Sequence, residues 1–200
     1  PAQRERRVRR HVVAVDGEQE PREPFAEAGL GPKRGIRVLE IVQMGRSPWL
    51  RTADLADDER AVDAAVEATD IAHLLGRRFT SLSGGEKARV SLARVLAQST
   101  PIVFLDEPTA ALDLRHQEEV MRLARRIAGE GRAVVVVVHD LSLAGAYADR
   151  IALLDHGRLD AVGTPAEVMT ADRIGRVYGL DVQIHRLGAS DRPIVLPLRD

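Results

Sequence analysis

The sequence predicts an α/β fold with a mostly parallel sheet, because strand-like apolar runs alternate with amphipathic helical segments over most of its 200 residues. The clearest strands are Ile102–Leu105 and Ala133–Val138, which are short, apolar and rich in β-branched side chains, as buried strands are. The clearest helix spans about 114–129, where one face repeats Val120, Leu123, Ala124 and Ile127. A chain of this length can bury the core of one such domain.

The composition narrows the classes of function. The formal net charge of −1 gives no reason to expect binding to nucleic acid or to an anionic membrane surface. The absence of cysteine excludes disulfides, a thiolate nucleophile and cysteine-based metal sites. No apolar stretch approaches the roughly 20 residues of a membrane-spanning helix, so we expect any membrane association to go through a partner protein.

Residues 1–37 differ from the rest and are predicted to be a disordered or misassigned leader. Arginines crowd residues 4–10, glutamates and prolines follow at 18–24, and glycines end the stretch at 29–35. Without apolar periodicity, such a segment buries too little surface to offset its ordering entropy. A basic arm for nucleic acid or lipid is the alternative, but the acidic residues that follow offset its charge. We place the folded domain at 38–200.

From residue 38 onward the predicted elements follow one another regularly. Acidic residues at 57–59 open a helix, and Ser83 precedes a second helix that ends near residue 98. The first of these helices shares one apolar face among Val62, Ala65, Val66 and Thr69. Asp155–Gly157 joins two strands into a hairpin, and Thr164–Glu167 combines a capping box with a helix-starting proline. Strand-like runs at 182–185 and 193–196 complete the pattern.

The first candidate site is Leu82–Glu86, which opens a helix with two adjacent glycines. Gly84 and Gly85 let a phosphate approach the backbone closely, and free amides at a helix start point toward such an anion. Ser83 can cap the helix or donate a hydrogen bond to a phosphate oxygen. An ordinary serine-capped helix with a flexible entry is the alternative.

The second candidate site is the strand Ile102–Leu105 followed by Asp106 and Glu107. Carboxylates that follow a strand lie at the sheet edge where α/β proteins bind ligands. One can hold Mg²⁺ while the other polarises an attacking water, a role that contributes roughly 10²–10⁴ in rate. The alternative is an acidic turn that caps the next helix, and Asp113 by itself would be only a helix cap.

The third candidate is His139, which directly follows the strand Ala133–Val138. If this strand neighbours the one that ends near Asp106, the imidazole lies at the same edge and can hydrogen-bond a terminal phosphate. A lone histidine in such a place is more often structural. Its position after the other two motifs favours a functional role.

In this order the motifs resemble those of the ABC transporter ATPase domain. Leu82–Glu86 is similar to the signature motif, Ile102–Glu107 to the Walker B strand with its catalytic glutamate, Ala111–Asp113 to the D-loop, and His139 to the switch histidine. The resemblance covers roughly residues 38–197 and is closest to the ATPase subunits of heme importers, with siderophore and vitamin B12 importers as near relatives. The stretches that carry this finer resemblance include Val38–Pro48, Leu112–Gln117, Ala146–Arg150 and Gly163–Val168.

The resemblance implies an ABC-type P-loop NTPase fold, with a helical subdomain and signature helix at about 38–98 and the Walker B core and C-terminal part at 99–200. It implies ATP and Mg²⁺ as ligands, with Asp106 serving Mg²⁺, Glu107 as general base and His139 at the γ-phosphate. It implies that Ser83, Gly84, Gly85 and Glu86 close over a partner's nucleotide, and that Asp113, counted with these cofactor-binding residues, bridges the dimer. The implied partners are permease subunits and a second ATPase subunit, with no nucleic acid, at the cytoplasmic face of the cell membrane.

The phosphate-binding loop of such a domain is missing from the 200 residues. No Gly-x-x-x-x-Gly-Lys-Ser/Thr occurs, and Gly29–Lys33 has the wrong spacing with no Ser or Thr after it. Gln43 belongs to a predicted helix and does not supply the Q-loop glutamine that the family carries. We therefore expect an N-terminally truncated version of the fold, through a truncated gene or a shifted reading frame upstream, and poor ATP binding by the chain alone.

Three functions stay open at this stage. The leading one is the ATP-hydrolysing subunit of an importer for heme or a related iron chelate, with a siderophore or vitamin B12 importer as its nearest variant. The second is a degenerate, non-hydrolysing subunit that lends its signature helix to a complete partner. The third is a soluble ABC-type ATPase of DNA repair or translation, which the lack of long insertions or tandem domains disfavours.

Overall fold

The computed structural model describes residues 11–16, 35–50, 52, 54–110, 112–187 and 192–199, and these form two compact units. The first unit takes its described residues from Pro1–Arg22, Phe104–Pro108 and Ala124–Asp200. The second takes them from Glu23–Val103 and Thr109–Leu123.

A five-stranded sheet organises the first unit. Its strands are, in chain order, β1 His11–Asp16, β2 Ile102–Asp106, β3 Ala133–Val138, β4 Arg150–Asp155 and β5 Arg158–Gly163. Their order across the sheet is β2-β3-β1-β4-β5. The central strand β1 runs parallel to both β3 and β4, whereas β5 returns antiparallel to β4. The parallel centre confirms the predicted α/β class.

One face of this sheet forms the core of the first unit. Every second side chain of β3 and β4 is buried, as the period of two in a strand requires: Val134, Val136, Val138, Ile151 and Leu153. Helix α5, Leu141–Tyr147, packs against β3 and β1 and buries its own Leu143 and Ala144. This helix begins where it does because the Asp140 carboxylate accepts hydrogen bonds from the backbone N–H groups of Ser142 and Leu143.

The chain beyond the β4–β5 hairpin completes the first unit. It forms helices α6 Pro165–Val168 and α7 Ala171–Tyr178, then the two-stranded antiparallel sheet of β6 Val182–Leu187 and β7 Arg192–Pro197. The predicted capping box at Thr164 and Glu167 is present. The guanidinium of Arg192 donates to the carbonyls of Gly145 and Ala146, which anchors β7 to the end of α5.

Helices dominate the second unit. They are α1 Val38–Met44, α2 Leu55–Thr69, α3 Gly84–Leu96 and the first part of α4 Leu114–Gly129, with 3₁₀ turns at Ser47–Trp49, Ala72–Leu74 and Phe79–Ser81. The buried face of α2 consists of the four residues that the spacing predicts, and Gln43 lies in α1 as predicted. The buried Arg46 joins α2 to the end of α3: its Nε lies 2.7 Å from Asp58 Oδ1, and its Nη1 donates to the Ala97 carbonyl at 2.9 Å. None of the helices in the described part of the chain is long and apolar enough to span a membrane.

The burial of β2 differs from the prediction. The sequence predicts a fully buried strand, yet Ile102 and Phe104 are 51 % and 69 % exposed. β2 lies at the edge of the sheet, and alternate side chains of a strand point to opposite faces. Only the face with Val103 and Leu105 is covered.

The segment predicted as a disordered leader contains the central strand β1. Three β-branched residues favour this strand, namely Val12, Val13 and Val15. The arginines before it and the glutamates after it hid that short signal in the sequence analysis. Residues 1–10 and 17–34 lie outside the described residues, and the domain boundary at residue 37 stays a prediction.

Candidate functional site

The first unit brings Glu107 and His139 together at one edge of its sheet. The Nε2 atom of His139 lies 3.1 Å from Oε1 of Glu107, and the two side chains are 40 % and 28 % exposed. The backbone N–H of Glu107 donates to the Val137 carbonyl at 3.1 Å, which joins the end of β2 to β3. The condition that the sequence analysis set for His139, that its strand neighbours the one ending at Asp106, is therefore met.

The backbone at Glu107 adopts an uncommon conformation. Its φ of 46° lies in the left-handed region, which few residues other than glycine occupy. Such conformations cost free energy and cluster at functional sites, where the surrounding structure holds them in place. Here the hydrogen bond from the Glu107 N–H to the Val137 carbonyl holds the turn after β2. The Glu107 carboxylate therefore lies beside the imidazole of His139.

The carboxylate of Asp106 fits the expected contact with Mg²⁺. Asp106 is the last residue of β2 and is exposed. Mg²⁺ keeps several waters and is bound through one or two carboxylates together with substrate phosphates, so one exposed carboxylate at a sheet edge suffices. Within the described ranges, no group of three or more His, Asp or Glu side chains could hold a metal ion by itself. The Asp106 carboxylate therefore suits a Mg²⁺ ion that also binds phosphate oxygens.

The second unit contains the glycine-rich helix start. The hydroxyl of Ser83 accepts a hydrogen bond from the backbone N–H of Glu86 at 3.3 Å, and the Glu86 carboxylate accepts one from the backbone N–H of Ser83 at 2.7 Å. Arg77 adds an ion pair, with its Nη1 3.0 Å from Glu86 Oε1. The backbone N–H of Ser83 is the largest cause that lowers the pKa of Glu86, and the Ser83 hydroxyl and Arg77 lower it further. The carboxylate thus stays ionised as part of the cap.

This cap leaves hydrogen-bond donors at the start of α3. Because the Ser83 oxygen is an acceptor within the cap, its own O–H can donate to another group. Gly84 and Gly85 are the first two residues of the helix, and in the part of the chain that the structure describes their backbone N–H groups have no assigned acceptor. A helix start of this kind favours a nearby anion by typically about 0.3–1 kcal/mol. The geometry therefore suits a phosphate oxygen.

Asp113 is held at the start of α4 by His116. Its Oδ1 accepts from the backbone N–H of His116 at 2.9 Å and lies 2.7 Å from the Nδ1 atom of the same residue. The backbone N–H is the largest cause that lowers the pKa of Asp113, and the ring adds to it. His116 was not among the predicted site residues, although its place three residues after Asp113 puts both in one helical turn. Nothing in the sequence identified Arg77 as the partner of Glu86.

The predicted site residues thus form two groups, each within one unit. Asp106, Glu107 and His139 belong to the first unit. The second unit holds Ser83–Glu86 and Asp113, while Ala111 of the predicted D-loop lies outside the described residues.

Comparison with known sequences identifies the family. The family model described as "ABC transporter" matches residues 2–110, so the match includes β1. The "Hemin import ATP-binding protein HmuV" of Thermobifida fusca is 54 % identical over 162 residues, which is 81 % of this chain and 57 % of that protein. The chain therefore spans somewhat more than half the length of this relative.

Solved structures give the same result for the fold. A metal-chelate type ABC transporter in an inward-facing conformation superposes with a TM-score of 0.73 at 28 % identity, covering 94 % of this chain and 72 % of that one. A dimeric ATP-binding cassette in a post-hydrolysis state, bound to ADP and phosphate, gives a TM-score of 0.56 at 28 % identity. That match covers 78 % of this chain and 63 % of the cassette.

Proposed function

This chain belongs to the ABC transporter family of ATPases, and from that premise we propose that it is the ATP-hydrolysing subunit of an importer for heme or a related iron chelate. The observation that carries the proposal is the contact of 3.1 Å between His139 and Glu107 at the end of neighbouring strands. A base and an imidazole at one sheet edge supply two of the groups that phosphoryl transfer to water requires.

Each residue has a distinct role in this proposal. Glu107 accepts a proton from the attacking water, and the neighbouring His139 donates a hydrogen bond to the terminal phosphate. Asp106 binds Mg²⁺, which neutralises charge on the phosphates. Ser83–Glu86 and Asp113 contact a nucleotide that a second ATPase subunit binds. The dimeric cassette with ADP and phosphate supports this arrangement.

The transported substrate and the partners come from the relatives. The Thermobifida fusca protein is named for hemin import, and the structural neighbour with the TM-score of 0.73 is described as a metal-chelate type transporter. Both names support an iron chelate, with heme as the preferred ligand and siderophores or vitamin B12 as the variants. In this role the chain binds permease subunits at the cytoplasmic face of the membrane.

We expect the chain by itself to bind ATP weakly. A phosphate loop contributes a row of backbone N–H groups and a lysine, and the 200 residues contain no such motif. The helix start at Ser83 supplies typically about 0.3–1 kcal/mol, and up to about 2 kcal/mol in favourable cases. A site with millimolar to micromolar affinity needs about 4–8 kcal/mol. The groups that are present therefore fall short of a useful affinity.

A chimera tests both parts of the proposal. In it, residues 1–37 are replaced by the Thermobifida fusca sequence that precedes the residue aligned with Val38. By calorimetry we expect micromolar ATP binding for the chimera and none for the unmodified chain. Glu107→Gln in the chimera keeps binding and slows phosphate release about 10²–10⁴-fold, because the amide cannot accept the proton.

Glu130→Gln is the matched control, since it removes an exposed carboxylate outside the predicted motifs. It should leave phosphate release unchanged. A Glu107→Gln chimera that hydrolyses ATP as fast as its parent would remove Glu107 from its proposed role. Micromolar binding by the unmodified chain would contradict the expected weak affinity.

A second candidate function is favoured by the complete cap at the start of α3. The contacts among Ser83, Glu86 and Arg77 complete the cap at the start of the signature helix, although the sequence has no phosphate loop. A subunit of this kind can lend its helix to a complete partner without hydrolysing ATP itself. To test this, the chain is mixed with a Thermobifida fusca protein whose residue aligned with Ser83 is changed to block its own signature helix. Hydrolysis that appears only in the mixture, and persists with Glu107→Gln in this chain, supports the second function.

A further inference from the structure

The ring of His116 is fixed by Asp113 at the start of α4. One carboxylate oxygen of Asp113 lies 2.9 Å from the backbone nitrogen of His116 and 2.7 Å from its Nδ1 atom. An ionised carboxylate is only an acceptor, so Nδ1 must carry the hydrogen. These two contacts define both the tautomer of the ring and its direction.

The fixed ring lies directly against Gly85 in the first turn of α3. A Cβ atom at Gly85 would stand 2.0 Å from Cδ2 and 2.2 Å from Nε2 of His116, distances that no pair of atoms tolerates without a shift. At the neighbouring Gly84 a Cβ would meet nothing within 4 Å. Gly85 does not have a positive φ, so its backbone angles would accept another residue. Within the second unit, the imidazole of His116 is therefore what a side chain at position 85 would meet first.

We propose that His116 is a positioning residue, which holds Asp113 at a fixed distance from the first turn of the signature helix. The inference rests on the proposed function, in which Ser83–Glu86 and Asp113 contact the same partner-bound nucleotide. The three groups form one continuous path within the second unit: carboxylate, imidazole and helix backbone. Movement of either segment is transmitted to the other because the ring leaves no gap between them.

The contact between His116 and Gly85 is tested by thermal unfolding of variants of the 200-residue chain. Gly85→Ala should lower the thermal unfolding midpoint by roughly 2–12 °C, the range expected for overpacking in a domain of this size. Gly84→Ala is the control and should not lower it. Adding His116→Ala to Gly85→Ala should restore the midpoint, because the obstructing ring is gone. A double variant as unstable as Gly85→Ala alone would overturn the contact.

The effect of His116 on hydrolysis is tested in the same mixture with the Thermobifida fusca protein whose signature helix is blocked. His116→Ala should lower kcat about 10- to 100-fold with little change in KM for ATP, since a displacement of about 1 Å can cost about 100-fold. His116→Asn should recover most of the rate, because its amide N–H takes the place of Nδ1 against Asp113. Arg115→Ala, which removes the exposed neighbouring residue, is the control and should leave kcat unchanged.

The outcomes distinguish a failure of the proposed contact with a partner's nucleotide from a failure of the positioning role of His116. If the wild-type chain does not stimulate hydrolysis in the mixture, the proposed contact with a partner's nucleotide is wrong, and the role of His116 falls with it. If the wild-type chain stimulates hydrolysis and His116→Ala does so equally well, only the positioning role is overturned. Loss of kcat in His116→Ala with recovery in His116→Asn supports the inference.

Discussion

The backbone of Glu107 allows a test that needs no nucleotide. Replacing Glu107 by Gly or by Ala removes the same carboxylate and the same contact with His139. The two variants differ in how well they tolerate a φ of 46°. Comparing them therefore isolates the cost of the left-handed conformation from the loss of the side chain.

The expected difference follows from two opposing terms. A residue with a Cβ atom pays about 1–2 kcal/mol in the left-handed region, which glycine avoids. Glycine in turn loses about 0.4–1 kcal/mol through the greater freedom of its unfolded chain. The net advantage of Glu107→Gly over Glu107→Ala is about 0–1.6 kcal/mol, with a central value of about 0.8 kcal/mol. For a protein of this size, the central value raises the unfolding midpoint by about 2–3 °C.

The assay is thermal unfolding of both variants at pH 7, with Glu119 as the matched position. Glu119 forms a comparable ion pair, with Oε1 3.0 Å from Nε of Arg115, but lies within α4. In a helix interior glycine is the worse residue by about 1 kcal/mol, so the order of the Gly and Ala variants should reverse there. A lower midpoint for Glu107→Gly than for Glu107→Ala, the same order as at Glu119, would refute the strained turn.

Two further predictions concern packing and acid stability. In a denaturant titration, Gly45→Ala should destabilise the chain by about 1–3 kcal/mol, because its Cβ would lie 2.1 Å from the Arg94 carbonyl oxygen. Gly76→Ala is the control and should be neutral in the same titration, because a Cβ there would meet nothing within 4 Å. The pKa values of Glu86 and Asp113 lie below their ordinary values of 4.5 and 3.8, as does that of Glu167. These groups contribute stability above those values and lose it as the pH falls through the lowered pKa. The thermal unfolding midpoint should therefore be constant from pH 7 to about 5 and decline below about pH 4.5. In Glu86→Gln the decline should be less steep, because one of these carboxylates is gone. A midpoint that does not change down to about pH 3.5 would contradict the lowered pKa values.

Long periodic segments could be predicted from the sequence because their own residues determine them. The buried face of α2 and the strand β3 follow from spacing alone, and the capping box at Thr164 follows from local hydrogen bonding. The edge position of β2 could not be predicted, because exposure of Phe104 depends on which strands pair with it. The strand β1 was missed for a related reason, since a run of six residues carries little signal until two neighbours pair with it.

In the candidate site, too, some residues could be predicted from the sequence and others could not. Asp106, Glu107 and His139 could be found because each directly follows an apolar strand, so the sequence marks the sheet edge. The contact between His116 and Gly85 could not be found, because the two positions differ by 31 in residue number, have a strand between them, and each look like ordinary helix-start residues. Spacing along a chain reports on one turn of helix, whereas this contact joins two helices.

The register of β1 explains why the missing loop weighs so heavily on nucleotide binding. Val15 pairs with Val138 and Asp16 pairs with Leu154, both in parallel, so β1 ends at the same edge as His139. A phosphate loop connects a strand at such an edge to a helix, and β1 has the place of that strand. The sequence that follows Asp16 is Gly-Glu-Gln-Glu, and no Gly-x-x-x-x-Gly-Lys-Ser/Thr occurs in the 200 residues. The strand that would precede the loop is thus present, and the weak ATP affinity that we expect follows from the absence of the loop motif from the sequence.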